Sequence, residues 1–345
     1  MKILAIETSC DETCAAVTEG TKILSNVVWS QVALHKEFGG VVPSIAKRAH
    51  EEKIDWVINK ALVTDVDAIA VTAGPGLAIA LEVGIKKAKG LAQEWDKPLI
   101  SVNHIEGHVL SGLTPEVRFP ALALVVSGGH TELIWVEKIG RYKIVARTMD
   151  DALGEALDKA ARMLGLGYPG GAELEKKAAL GNPKKYPLPL PMAGKEKNLA
   201  FSYSGLKTAF YRLTNAQRSE LSSQEVNDLA ASFQETAFKH LLRETKNSIA
   251  FYTSPHPSPI IGEGVRGRGI HDLLVGGGVA ANTKLREEIK RLSDEVGMGV
   301  YFPAKGMYGD NAAMIGIAAG FRAERGEFTD PDTIDRRPRW RVDEN

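Results

Sequence analysis

Two histidines four residues apart, in His104-Ile105-Glu106-Gly107-His108, are the feature of this 345-residue chain that most directly suggests chemistry. On a helix, residues i and i+4 share a face with Cβ atoms about 5–6 Å apart, close enough for two imidazoles to ligate one ion. Glu106 does not complete a metalloprotease motif. That motif places its acid beside the first histidine, whereas Glu106 lies at i+2, about 200° around the helix, and faces away. Without a third ligand the same histidines could equally cap or pack a helix. Asp310, in Tyr308-Gly309-Asp310-Asn311-Ala312-Ala313-Met314, is a candidate third ligand, although an Asp at a loop-to-helix junction is also a favoured N-cap. Two histidines and one carboxylate with open positions suit non-haem iron and are acceptable to zinc.

Two glycine turns could serve an anion. Val126-Ser127-Gly128-Gly129-His130-Thr131 follows an apolar run, and its glycines let backbone N–H groups approach an oxyanion; a tight hairpin would need no ligand. Val275-Gly276-Gly277-Gly278-Val279-Ala280-Ala281-Asn282 reads as strand, glycine turn and helix start, a geometry that meets nucleotides, but it matches neither Gly-x-Gly-x-x-Gly nor a Walker sequence. Asp158, in Gly154-Glu155-Ala156-Leu157-Asp158-Lys159, could accept hydrogen bonds from a ribose or an amino group, or simply pair with Arg162 at i+4.

The elements that must position these residues are short strands and amphipathic helices. Lys2–Thr8, Ala15–Val17 and Ile23–Val28 read as an antiparallel meander, and Ala121–Val126, Glu132–Val136 and Tyr142–Ala146 repeat it. Shifting the first group by 118 positions superposes Leu4 on Leu122, Ala5 on Ala123, Ser9 on Ser127 and Thr13 on Thr131, the trace of a duplication. Val66–Ala73, a helix through Leu81, Ile85, Ala88 and Leu91, and Pro98–Val102 form a βαβ unit. Helices are expected around Leu153–Leu164, Ser204–Leu213 and Val226–Ile249, followed by a strand at Leu273–Val275. Residues 253–269 have loop composition, with Pro255, Pro257 and Pro259 among them, and read as an exposed insertion.

Composition excludes several classes. A chain with 44% hydrophobic and 25% charged residues is an ordinary globular protein, long enough for two domains. Lys+Arg and Asp+Glu are equal at 43 each, so no global basic field draws it onto nucleic acid and any such binding is local or assisted. Basic residues such as Lys195, Lys197, Lys207, Arg336, Arg337, Arg339 and Arg341 could contact phosphates, or be a solvated face and a frayed tail. Cys10 and Cys14 complete neither a zinc site nor a disulfide framework and read as reduced thiols. No apolar run suggests a signal peptide or a membrane span, so a cytoplasmic protein is expected.

Taken in order, Glu7–Thr13, Val102–His108, Ser127–Thr131, Gly154–Lys159, Tyr168–Gly171, Phe201–Thr208, Gly276–Asn282 and Asp310–Met314 closely resemble the bacterial TsaD family, once labelled O-sialoglycoprotein endopeptidase. The resemblance spans nearly the whole chain. It implies a two-lobed α/β fold of the actin, sugar-kinase and Hsp70 (ASKHA) type, with duplicated mixed-sheet domains and a central cleft. The first lobe would comprise 1–112, completed by 311–345, and the second 113–310. The implied activity is transfer of the threonylcarbamoyl group of threonylcarbamoyl-adenylate to N6 of the adenosine beside the anticodon (A37), in tRNAs reading codons that begin with A, releasing AMP.

On this resemblance His104, His108 and Asp310 match metal ligands for one divalent ion, iron first and zinc second, acting as Lewis acid and template. Ser127, Gly128, Gly129, His130, Thr131, Asp158, Gly171, Glu175 and Asn282 match adenylate-holding positions, and Asp11 and Glu12 fall where the family has sensitive acids that could orient the incoming amine. TsaB and TsaE proteins are the implied partners, besides tRNA and the adenylate. Three departures stand out: Leu157 where Phe is commoner, Tyr308-Gly309 in place of Cys-Thr, and the 253–269 insertion. The alternatives are the metal-dependent endopeptidase of the old label, opposed by the offset of Glu106, and a non-catalytic partner like TsaB, opposed by the three ligands. A sugar or acetate kinase on the same fold would have no use for paired histidines.

Overall fold

The computed structural model describes residues 1–194, 199–216, 221–253 and 269–344. Of the 253–269 insertion only Thr253 and Gly269 fall among them, and Lys195 and Lys197 lie outside them. Two compact units result: Met1–Gly112 with Ile139–Arg141 and Ala304–Asn345, and Leu113–Lys138 with Tyr142–Pro303. The chain returns to the first unit at Ala304, ahead of the expected 311, so Asp310 shares a unit with His104 and His108.

In the first unit β1 (Lys2–Glu7), β2 (Glu12–Glu19) and β3 (Lys22–Ser30) pair as an antiparallel meander, Leu4 opposite Val17 and Cys14 opposite Val28. After α1 (Val32–His35), α2 (Pro43–Ala61) opens with proline in its first turn, where a missing N–H costs nothing. The βαβ unit is β4 (Ala68–Gly74), α3 (Ala78–Glu94) and β5 (Leu99–Asn103), with β4 parallel to β1 and β5 parallel to β4. Directly at the end of β5, α4 (His104–Leu110) begins. Ile3–Ile6 of β1 and Ala68–Val71 of β4 are apolar without alternation because both their faces are covered. Leu4, Ile6, Ala15 and Val17 join Ile54 and Val57 of α2 and Leu81 and Leu91 of α3 in one core.

The second unit repeats the plan with β6 (Ala121–Val126), β7 (Thr131–Lys138) and β8 (Arg141–Arg147). Then come α5 (Leu153–Met163), α6 (Gly171–Ala178), α7 (Ser204–Ala216), α8 (Ser223–Thr253), β9 (Asp272–Gly276), α9 (Thr283–Val296) and β10 (Gly299–Tyr301). The two sheets run β3-β2-β1-β4-β5 and β8-β7-β6-β9-β10, the same order with each strand of one standing for its counterpart in the other. Leu4 pairs with Ile69 as Leu122 pairs with Leu273, both in parallel register. The matching order and register make the duplication a property of the fold rather than of chance identities. Helix α10 (Ala312–Glu324) then returns to the first unit and packs on β1, β2 and α4. Strand alternation sends Thr18 to the face opposite Val17, where a Cβ on Gly316 of α10 would lie 2.5 Å from its Oγ1.

The C-terminal segment is not a frayed tail. Arg337 donates its N–H to the Ala73 carbonyl at 2.7 Å, Gly76 donates to the Pro338 carbonyl, and Trp340 and Val342 are buried. Trp340 belongs to the same core as Leu4 and Leu81, so one buried aromatic ring holds an otherwise arginine-rich stretch in place.

Candidate metal centre and substrate-binding elements

Helix α4 brings its two histidines to one face, as the spacing implies. Asn103 caps it, its side chain accepting from the N–H groups of Ile105 and Glu106, and the ring centroids of His104 and His108 are 4.7 Å apart. Asp310 meets both: its Oδ1 lies 3.1 Å from His108 Nε2 and 3.5 Å from His104 Nε2. Ligands about 2.0–2.2 Å from a common ion lie about 3.0–3.5 Å from each other, so these separations suit one metal. Asp310 does not cap α10. Asn311 does, accepting from the Met314 N–H, which leaves the Asp310 carboxylate for the histidines. Cys14 Sγ contacts the Asp310 carbonyl at 3.8 Å, tying β2 to the ligand loop.

Glu7, at the buried end of β1, was not expected in a role of its own. Its Oε2 is 3.0 Å from His104 Nδ1 and accepts the Thr72 hydroxyl at 2.5 Å, and its Oε1 accepts the Ser9 N–H. Burial pushes this carboxyl up, but the His104 charge and hydrogen bond outweigh it and hold it below its ordinary value. For His104, burial pulls down while Asp310 and Glu7 raise its value to about 9; burial and the charge of His104 keep His108 low. An acid that ends an apolar strand costs free energy unless paired, a signal in Lys2–Glu7 that asks for a partner without naming one.

Asp11 and Glu12 follow the β1 strand, Glu12 opening β2 with its carboxyl 3.4 Å from the Ser30 hydroxyl. Burial, then the charges of Asp11 and Asp310, raise Glu12 well above the carboxylate range, so these acids share the field of the histidine–aspartate cluster. Burial likewise raises the Cys10 and Cys14 thiols, which are both free and poorly nucleophilic. Glu106 faces away from the cluster, as its offset requires, and receives Arg322 Nε at 2.7 Å.

In the second unit the expected adenylate positions are linked to one another. Ser127 donates its N–H to the His130 carbonyl and receives the His130 N–H on Oγ, closing the β6–β7 hairpin. Thr131 Oγ1 accepts from Leu153 N–H and the Ser127 carbonyl from Gly154 N–H, seating the start of α5 on that turn. Gly154 must be glycine, since a Cβ there would lie 2.5 Å from the Ser127 carbonyl oxygen. Along α5, Asp158 Oδ1 accepts the N–H groups of Gly170 and Gly171 at 2.8 Å each, which fixes the start of α6. On α6, Glu175 accepts from Thr283 N–H at 2.7 Å, and Asn282 both caps α9 and donates to Gln234. Gly277, at φ +92°, closes the remaining turn; a Cβ there would meet the Val126 carbonyl oxygen at 2.3 Å.

Most of the basic side chains suggested for phosphate contact have protein partners. Lys207 pairs with Asp151 at 2.5 Å, Arg336 with Glu82 at 2.7 Å and Arg341 with Asp343 at 2.9 Å, while Arg337 stacks on Trp340.

Comparison with known proteins matches residues 22–317 to the model of a family described as TsaD, tRNA N6-adenosine threonylcarbamoyltransferase. The chain belongs to the TsaD family. A tRNA N6-adenosine threonylcarbamoyltransferase of Bartonella bacilliformis is 46% identical over 357 residues, covering 100% of this chain and 96% of that protein. One of Moorella thermoacetica is 47% identical over 338 residues, covering 94% of this chain and 93% of that protein. Among solved structures, HypF of T. kodakarensis superposes with a TM-score of 0.58 at 14% identity, over 96% of this chain and 49% of that one. The activator of 2-hydroxyisocaproyl-CoA dehydratase from Clostridium difficile superposes with a TM-score of 0.51 at 12% identity, over 95% and 97%. At such identities these neighbours establish the fold alone, a two-lobed α/β architecture of the ASKHA type. The histidine–aspartate cluster lies within the span that the family model covers.

Proposed function

We propose that this protein transfers the threonylcarbamoyl group of threonylcarbamoyl-adenylate to N6 of the adenosine adjacent to the anticodon (A37), in tRNAs that read codons starting with A. In that reaction the N6 amine forms a bond to the carbamoyl carbon and loses a proton, and the bond from that carbon to the phosphate oxygen breaks to release AMP. The observation that carries the reading is the convergence of His104, His108 and Asp310 in a chain of this family. These three would hold one divalent ion, iron in preference to zinc given the two-histidine, one-carboxylate donor set with open positions. Such an ion supplies a Lewis acid and a template for carbonyl or phosphate oxygens.

The remaining roles fall to the chain itself. The backbone N–H groups of Gly128 and Gly129, within the Ser127–Thr131 turn, would donate to phosphate oxygens, with Asp158, Gly171, Glu175 and Asn282 shaping the nucleoside subsite. Asp11 and Glu12 would orient the incoming amine, since a carboxyl raised as that of Glu12 is can donate a hydrogen bond as well as accept one. The protein would act in the cytoplasm with TsaB- and TsaE-type partners, which accords with its formal net charge of +0, too weak a field to hold a polyanion unaided. An endopeptidase is opposed by Glu106, held by Arg322 instead of facing the ligand atoms.

The test supplies labelled threonine, bicarbonate, ATP, the adenylate-forming enzyme, both partners and unmodified tRNA, then digests the product to nucleosides. Label in the adenosine beside the anticodon, with stoichiometric AMP, is expected. Label elsewhere, or none from folded protein, would overturn the assignment.

A further inference from the structure

We infer that Glu7 is a positioning residue for the metal: it selects which ring nitrogen His104 presents, by holding the proton on Nδ1 and leaving Nε2 to face Asp310. The inference rests on the reading that His104, His108 and Asp310 ligate an ion. Glu7 is 1% exposed, and its carboxylate is fixed by three donors from three elements: the Ser9 N–H, the Thr72 hydroxyl at 2.5 Å and His104 Nδ1 at 3.0 Å. Ile6 pairs with Val71 and Thr72 pairs with Val102, so strand register alone sets Glu7 beside Thr72 and one residue before the capped start of α4.

The consequence is an asymmetry between the two histidines. His104 has its Nδ1 against a carboxylate and its Nε2 toward Asp310, the arrangement in which an outer acid fixes the tautomer and raises ligand basicity. His108 Nδ1, equally buried, has no hydrogen-bond partner among the described residues. At His104 Nδ1 the Ser9 hydroxyl stands at 3.3 Å beside the Glu7 carboxylate at 3.0 Å, and Glu7 supplies the charge. A carboxylate with only a structural role would be replaceable by an amide of the same shape, which keeps the packing and a hydrogen-bonding oxygen but not the charge.

The experiment uses the full chain and zinc alone as probe. Zinc affinity is measured by competition with a chelator in wild type, Glu7→Gln, Thr72→Val and His108→Ala, and the His104 nitrogen that ligates is assigned by 15N NMR in the zinc-loaded proteins. Loss of outer carboxylates of this kind weakens metal affinity about 10–100-fold. That weakening is expected in Glu7→Gln, with zinc shared between the two His104 ring nitrogens against zinc on Nε2 alone in wild type. Thr72→Val, which removes one donor to the carboxylate and keeps side-chain shape, should weaken binding several-fold and covers the case in which Glu7→Gln does not fold. Undiminished zinc affinity in a folded Glu7→Gln, or in Thr72→Val should the former not fold, overturns the role of Glu7. If His108→Ala binds zinc as tightly as wild type, the ligand assignment itself fails, and the two failures are thereby distinguished.

Discussion

Replacing Glu106 with alanine would strand the buried Arg322 guanidinium of the first unit. Glu106 is 0% exposed and receives Arg322 Nε at 2.7 Å, with Arg325 Nη2 at 3.8 Å; Arg322 is itself 7% exposed and lies 5.5 Å from the Trp340 ring. Removing one partner of a buried pair costs about 3–5 kcal/mol, chiefly because the other charge is left without compensation. Glu327, 3.3 Å from Arg322 Nη1, retains part of that compensation and places the expected loss near the lower end, about 3 kcal/mol. At roughly 2–4 °C per kcal/mol for a unit of this size, the transition should fall by about 6–12 °C. The assay is thermal unfolding by circular dichroism, with metal content measured on the folded protein at 20 °C below the transition. Metal stoichiometry should be unchanged, because Glu106 faces Arg322 and not the ligand atoms. In Glu106→Leu combined with Arg322→Met, most of the lost stability should return, since replacing both charges removes the uncompensated one. A shift of under about 2 °C would refute the buried-pair argument. Loss of metal from a folded Glu106→Ala would return Glu106 to the metal site and revive the endopeptidase reading.

Two further outcomes are expected. His240, fully buried between Phe201 and Tyr203, accepts the Ser202 N–H on Nε2, and burial together with Arg243 holds its imidazole down at about 4. Its folded value is depressed, so the unfolded chain takes the proton first as pH falls; the stability it contributes is complete above about pH 6.5 and lost toward pH 4, up to about 3 kcal/mol. Urea unfolding between pH 7.5 and 4.5 should show a flatter pH dependence in His240→Gln, and equal slopes would contradict the assignment. Trp340→Ala should destabilise the first unit by about 3–5 kcal/mol, as for other buried aromatics, and expose the C-terminal segment to limited proteolysis; a truly frayed tail would show neither effect.

The strands, the βαβ unit and the duplicated meander were legible because apolar runs broken by turn residues carry that information locally. His104 and His108 were legible for the same reason, a helical spacing within five residues. What escaped depended on partners distant in sequence. Glu7 acquires meaning only when strand register sets it beside Thr72, 65 residues away. Asp310 and Asn311 compete for one cap, and only the folded loop shows that Asn311 takes it. Asp158 reads as half of a surface pair until Gly170 and Gly171 present their N–H groups to it. The arginine-rich C-terminus reads as a tail because the burial of Trp340 is a tertiary fact. The activity was legible through motif order along the whole chain, since the residues taken singly left a metal, a cap or a packed helix equally open.

The most direct test of the central claim is a single-turnover transfer of the labelled threonylcarbamoyl group from preformed threonylcarbamoyl-adenylate to unmodified tRNA in the presence of both partners, run with metal-loaded wild type and with His108→Ala, and paired with the metal content of each. The account predicts one metal per wild-type chain with label in tRNA, and loss of both in a folded His108→Ala. Full transfer by a metal-free His108→Ala would contradict it.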